Sequence, residues 1–150
     1  MGDEVAWLDE DQQRVWRLWL KGTARVSDRL DAQLRTMGLD VGDYEILVSL
    51  VEGPDRELRM SDLADQVHQS RSRLTHAIKR MEANGWVARR PAEDDRRGVI
   101  ASLTDEGCAL LEKAAPGHVT AVRRILVDAV DPEDYLALGR AMQAVLAVPD

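Results

Sequence analysis

The chain has 150 residues, a formal net charge of −7, 45% hydrophobic residues and a single cysteine. That length suits one domain with a core of its own, and no apolar run approaches the roughly 18 residues that a membrane span needs. Met1, Gly2, Asp3 and Glu4 lack the basic start of a secretory signal, and a lone cysteine fits a reducing compartment, so a cytoplasmic protein is expected.

From residue 9 to 35, Val15, Leu18, Trp19, Val26, Leu30 and Leu34 recur at helical spacing, and Gly38 closes the run. A second helix is predicted over residues 41–52, with Tyr44, Leu47, Val48 and Val51 apolar and Gly53-Pro54 as its stop. Residues 55–59 read as a loop ending in a short strand at Leu58-Arg59. The next helix, residues 61–67, puts Leu63, Ala64 and Val67 on one face, with Ser61 placed to cap it. A tight turn at His68-Gln69 then leads into a helix over residues 70–85, ended by the Asn84-Gly85 pair suited to a left-handed stop. Two helices joined so closely make a helix-turn-helix.

At about 100° per residue, Leu74, Ala77, Ile78 and Met81 fall together on the second of these helices and are expected to pack on Leu63, Val67 and Trp86. The opposite side carries Gln69, Ser72, Thr75, His76 and Lys79, flanked by Arg73 and Arg80, with Ser70 and Arg71 at the helix start. Such side chains hydrogen-bond base edges in a major groove or the phosphates beside it. A polar helix face alone is more often simply solvated, and the segment that follows decides the reading. Residues 86–90 and 98–103 have strand patterns, and between them Pro91 to Gly98 holds Asp94, Asp95, Arg96 and Arg97. This is a two-stranded wing whose tip presents guanidinium groups to a narrow minor groove. Asp95 is expected to orient Arg97 through a bidentate pair.

Thr104 is placed to cap a fifth helix that opens with Asp105-Glu106, acids that suit a helix N-terminus. Pro116-Gly117 interrupts it, and local chemistry allows one kinked helix or two. Asp131-Pro132-Glu133-Asp134 starts a last helix, with Leu136, Leu138, Met142, Val145 and Leu146 apolar.

The net charge is unexpected for a chain with a DNA-reading pattern until it is located. Residues 71–97 hold eight Arg or Lys against four acids, a local balance of +4 that leaves −11 for the remainder. Screening confines each patch to about 8 Å, so a basic face on an acidic body attracts DNA in one orientation.

Leu63-Ala64, the helix of residues 70–81, Asn84-Gly85-Trp86-Val87, Asp95-Arg96-Arg97-Gly98 and Leu103-Thr104-Asp105-Glu106-Gly107, in that order, resemble the MarR family of bacterial transcription regulators. The resemblance extends over nearly the whole chain. It implies a mainly α fold with a small β-hairpin wing, a winged helix-turn-helix in a single domain over residues 1–150. The reading head would occupy about residues 41–103, between dimerisation helices at about 9–37 and 104–147, and the fifth helix would run kinked to about Val130. It further implies a homodimer on double-stranded DNA, with recognition helices about one turn, or ~34 Å, apart on a pseudo-palindrome. Repression relieved by a small aromatic or lipophilic effector is the implied activity. The resemblance places the effector pocket where the first, second and fifth helices meet the reading head, with Trp16, Trp19 and Tyr44 as candidate lining.

Other chemistries have weaker support. Cys108 has no neighbour in sequence that would lower its pKa and reads as a buried small thiol rather than a redox switch. His68, His76 and His118 show no metal-binding spacing, and neither GxSxG nor a glycine-rich phosphate loop is present. No metal, cofactor or enzymatic activity is therefore expected. The competing reading is a winged helix that serves only as a protein-interaction module. Such a module needs no Arg96-Arg97 at the wing tip, and the salt dependence of DNA affinity separates the two.

Overall fold

Helix α1 spans Glu10–Leu34 and starts from a reciprocal cap: the Gln12 amide donates to the Asp9 carboxylate, and the Asp9 amide donates back to the Gln12 side chain. The structure, a computed structural model, describes residues 5–149, so the reading of Met1 to Glu4 lies outside the described residues. Only the far end of α1 enters the core, through Leu30 and Leu34, and every residue from 10 to 25 is exposed. A 3-10 turn, Arg35–Met37, and Gly38 at φ 76° end it, a conformation that costs glycine little. Helix α2, Val41–Glu52, occupies the predicted span. Its cap is also reciprocal: the Asp43 amide donates to Asp40 at 2.7 Å, and the Asp40 amide donates to the Asp43 carboxylate at 3.1 Å.

Strand β1, Glu57–Arg59, leads straight into α3, Met60–Gln66. Ser61 is not the cap. The N-cap residue is Arg59, without a side-chain hydrogen bond, because β1 pairs with a later strand as far as Arg59 and the helix must begin at the next residue. His68, at φ 49°, makes the tight turn, and α4 follows at Arg71–Ala83, with the Ser70 hydroxyl accepting from the Arg73 amide at 3.2 Å. Leu74, Ala77, Ile78 and Met81 are buried with Leu63, Ala64 and Val67 against Ile46, Leu47 and Leu50 of α2. The core therefore lies inside the reading head and directly beneath its recognition helix.

Strands β2, Val87–Pro91, and β3, Val99–Leu103, form the expected antiparallel hairpin, with Val87 opposite Leu103. The sheet has three strands in the order β1-β3-β2, because β1 adds to the free edge of β3 with Leu58 opposite Ala101. Trp86 stays outside β2. Its amide donates to the Met81 carbonyl and its carbonyl accepts from the Thr104 amide, so it closes α4 instead. Helix α5, Asp105–Val122, continues through Pro116 into a π-helical turn, Arg123–Val127, giving one extended helix rather than two. Helix α6, Pro132–Leu146, starts from the Asp131 cap as predicted and contains no buried residue.

Gly107, in the first turn of α5, is required by contact. A Cβ there would stand 2.2 Å from the Trp86 carbonyl oxygen and 2.6 Å from a Leu103 methyl. Gly107→Ala should lose about 1–3 kcal/mol of stability through overpacking against backbone that cannot rotate away. Urea unfolding at fixed protein concentration checks this, and wild-type stability would mean that the Trp86 turn yields.

Candidate nucleic-acid interface

Helix α4 exposes Ser72, Arg73, Thr75, His76, Lys79 and Arg80 on the side opposite its buried Leu74, Ala77, Ile78 and Met81, with Arg71 beside its cap Ser70. The Thr75 hydroxyl donates back to the Arg71 carbonyl at 2.7 Å, which commits its proton to the helix and leaves the oxygen as an acceptor. Gln69 is half-buried, and its amide nitrogen lies 2.8 Å from where a Cβ on Gly42 would be, so it packs on the start of α2.

The wing differs from expectation in how its tip is held. Asp95 forms no ion pair with the Arg97 guanidinium; its carboxylate accepts from the Arg97 backbone amide at 3.0 Å, and its carbonyl accepts from Gly98 at 3.0 Å. The Asp95 carboxylate is taken up by the backbone of its own turn, because a side-chain-to-backbone bond two residues on is a common turn former. The tip is anchored by Asp94, which pairs with Arg59 at the end of β1. Arg96 and Arg97 are exposed and have no ion partner among the described residues.

The wing-strand arginines are committed elsewhere. Arg89 pairs with Glu82 at 2.7 Å and Arg90 with Glu57 at 2.7 Å, cross-links that stiffen the wing against α4 and β1. The unpaired cations of this region are thus Arg71, Arg73, Lys79, Arg96 and Arg97. A cleft of about 490 Å³ separates helix from wing, with Arg71 and Thr75 on one wall and Asp95 and Arg97 on the other.

Arg80 is held by a residue that the sequence reading missed. Its guanidinium bonds the carboxylate of Asp43 in α2, while half of its side chain stays exposed. Asp43 is 4% exposed, the one buried charged residue among the described residues. Burial raises its pKa above the usual 3.8, opposed by the hydrogen bond from Asp40 and by the Arg80 charge. The Asp40-x-x-Asp43 spacing is that of a helix cap and carries no sign of this second bond.

Two of the three candidate effector residues are brought together, and Tyr44 stands apart from them. Trp16 and Trp19 line an apolar trough of about 730 Å³ with Leu138, Met142 and Val145 of α6. Tyr44 instead stacks on His118 of α5, ring centroids 4.1 Å apart. Helix α1 is ~37 Å long at 1.5 Å per residue, so its tryptophans stand several turns from the end that meets α2. Cys108 is half-buried at the edge of the core. No three His, Cys, Asp or Glu side chains gather as a metal site among the described residues, and no helix is long and apolar enough to cross a membrane.

His118 carries a testable consequence. Its Nδ1 is buried without a hydrogen-bond partner among the described residues, and burial lowers its pKa below 6.5. The unfolded chain takes up a proton near 6.5 while the folded chain resists it. Stability should therefore be full above that pH and decline as pH falls below it. His118→Phe keeps a ring on Tyr44 and should flatten this slope in unfolding measured between about pH 5 and 8; an unchanged slope would assign it to other groups.

A helix-turn-helix whose second helix bears a polar, basic face beside a β wing tipped with free arginines is a winged helix-turn-helix of the nucleic-acid-reading class. The model of the MarR family matches residues 37–98, from the 3-10 turn after α1 to the wing tip. A MarR family transcriptional regulator from Streptomyces coelicolor, solved in complex with DNA, has a TM-score of 0.92 and 44% identity, covering 97% of this chain and 91% of that one. AbsC from the same organism, also a MarR family transcriptional regulator, has a TM-score of 0.89 and 42% identity, covering 95% of this chain and 96% of its own. The HTH-type transcriptional repressor YetL of Bacillus subtilis is 30% identical over 96 residues, 64% of this chain and 58% of that protein, so the match spans under two thirds of this relative. The chain belongs to the MarR family of transcriptional regulators.

Proposed function

We propose that the chain is a sequence-specific transcriptional regulator that binds a pseudo-palindromic operator as a homodimer and represses from it. The observation that carries this reading is the pair of unpartnered guanidinium groups at the wing tip, beyond a helix face of six exposed polar or basic side chains. A protein-interaction module has no use for that combination. Helix α4 would supply base contacts in the major groove and the wing a minor-groove arginine, with Arg71 and Lys79 on phosphates. The likeness to a relative solved with DNA and to a named repressor supports the same assignment.

Dimerisation is supported by apolar surface that one chain leaves open. Trp16 is 52% exposed, Leu136 63% and Val145 60%, and helix α6 has no fully buried residue. Burial gains about 25 cal/mol per Å² of apolar surface, so a second copy covering α1 and α6 gives these helices the core they lack. We assign the trough walled by Trp16 and Trp19 to that copy. Release by a small aromatic or lipophilic effector belongs to this reading: it weakens DNA binding only by its preference for a head spacing that misfits DNA. Cytoplasmic residence follows from the role.

The deciding experiment is selection of random duplexes by the purified protein at about 150 mM salt. A palindrome with half-sites about 10 base pairs apart is expected, and no enrichment would favour the interaction module. On the selected duplex, Arg97→Ala should weaken binding about tenfold and lower the salt slope by about 1. Ser72→Ala and His76→Ala should change sequence preference. Unchanged affinity in Arg97→Ala would remove the wing from the mechanism. Val145→Glu, at an exposed site, should leave the fold intact and convert the dimer to a monomer in sedimentation; a variant that still sediments as a dimer places the interface elsewhere.

A further inference from the structure

The contact between Asp43 and Arg80 joins the first turn of α2 to the exposed face of the recognition helix. Arg80 lies four residues beyond His76 and seven beyond Arg73, so the three share one side of α4. One terminal nitrogen of its guanidinium is bound to Asp43, and Nε and the other terminal nitrogen have no hydrogen-bond partner among the described residues. Asp43 cannot follow a moving arginine. Its second oxygen accepts from the Asp40 amide at 3.1 Å, and its own amide is fixed by the Asp40 carboxylate at 2.7 Å. A free arginine explores many rotamers, whereas one edge of this fork is docked on a rigid, buried acceptor while the other faces solvent.

We propose that Asp43 is a positioning residue for DNA binding, holding Arg80 so that the free edge of its guanidinium meets a backbone phosphate at the margin of the groove. This inference rests on the DNA-reading function proposed above. Contacts to phosphate set the register of a protein on its duplex, and a donor fixed in advance loses little entropy in making one. Asp43 itself, buried behind Arg80, touches no DNA. Its contribution therefore appears in discrimination rather than in charge: the acid lowers the local positive potential and so opposes indiscriminate attraction, while fixing the geometry that a correct register requires.

The experiment measures affinity for the duplex selected by the wild-type chain and for an unrelated duplex of the same length, with a melting temperature for each variant. A wild-type chain that selects no duplex would defeat the DNA-reading function itself, and is recognised before any variant is made. Asp43→Asn should bind the selected duplex about tenfold more weakly, the loss of one charge-assisted hydrogen bond, while its affinity for the unrelated duplex stays the same or rises. Arg80→Lys, which keeps the charge and loses the fork, should show the same fall in selectivity. The double variant should be no worse than either single one, because both act through one contact. The proposal is overturned by wild-type selectivity in the single variants, by equal losses on both duplexes, or by losses that add. Should Asp43→Asn give no melting transition, Arg80→Lys alone decides: unchanged selectivity overturns the proposal, and reduced selectivity with a wild-type melting temperature sustains it.

Discussion

The junction of α4, the wing and α5 is the constraint on which the rest of the molecule depends. The Thr104 hydroxyl donates to the Gly85 carbonyl at 2.6 Å and accepts from the Gly107 amide at 3.0 Å, while the Thr104 amide donates to the Trp86 carbonyl at 3.1 Å. One residue thus closes the recognition helix, ends the last wing strand and starts the helix that leads out of the reading head. Gly85 at φ 77° lets the chain turn there, and the missing side chain of Gly107 lets α5 lie directly against the Trp86 carbonyl. The position of the reading surfaces relative to α5 is set by these few bonds.

The electrostatic design follows the same economy. Arginines on the wing strands are spent on Glu82 and Glu57, and Arg59 on Asp94, so the charges nearest the core hold the head together. Within the reading head, the cations without such partners sit on the outer face of α4 and at the wing tip. The head therefore presents its unneutralised positive charge on one surface, where it acts over about a Debye length and orients the approach to a polyanion.

Much of this was legible in the sequence because its signals are local. The start of α6 follows from the Asp131 cap and Pro132, and the end of α2 from Gly53-Pro54 just beyond it. The order of helix, turn, helix and wing could be read for the same reason, and the matching family confirms that fold. What escaped depends on contacts between distant segments. Ser61 has the right chemistry for a cap, yet pairing of β1 with β3, some forty residues on, fixes where α3 begins. Asp43 has the spacing of a cap, and only packing of α2 on α4 gives its carboxylate a second partner. Trp16, Trp19 and Tyr44 are all apolar-faced aromatics, but the length of α1 separates Tyr44 from the two tryptophans, which no periodicity reveals. Asp95 lies at the wing tip as its sequence position implies, and its carboxylate closes the turn on a backbone amide rather than pairing with the Arg97 side chain.

The bare apolar face of α1 and α6 has a consequence for how much of this protein a cell must hold. In the proposed dimer, pairing would follow a second-order law, so dilution would lower operator occupancy faster than it lowers the number of chains. The paired form would then accumulate steeply above a threshold of synthesis. Dimer formation through these two helices would thereby turn a graded supply of chains into a sharper supply of working regulators.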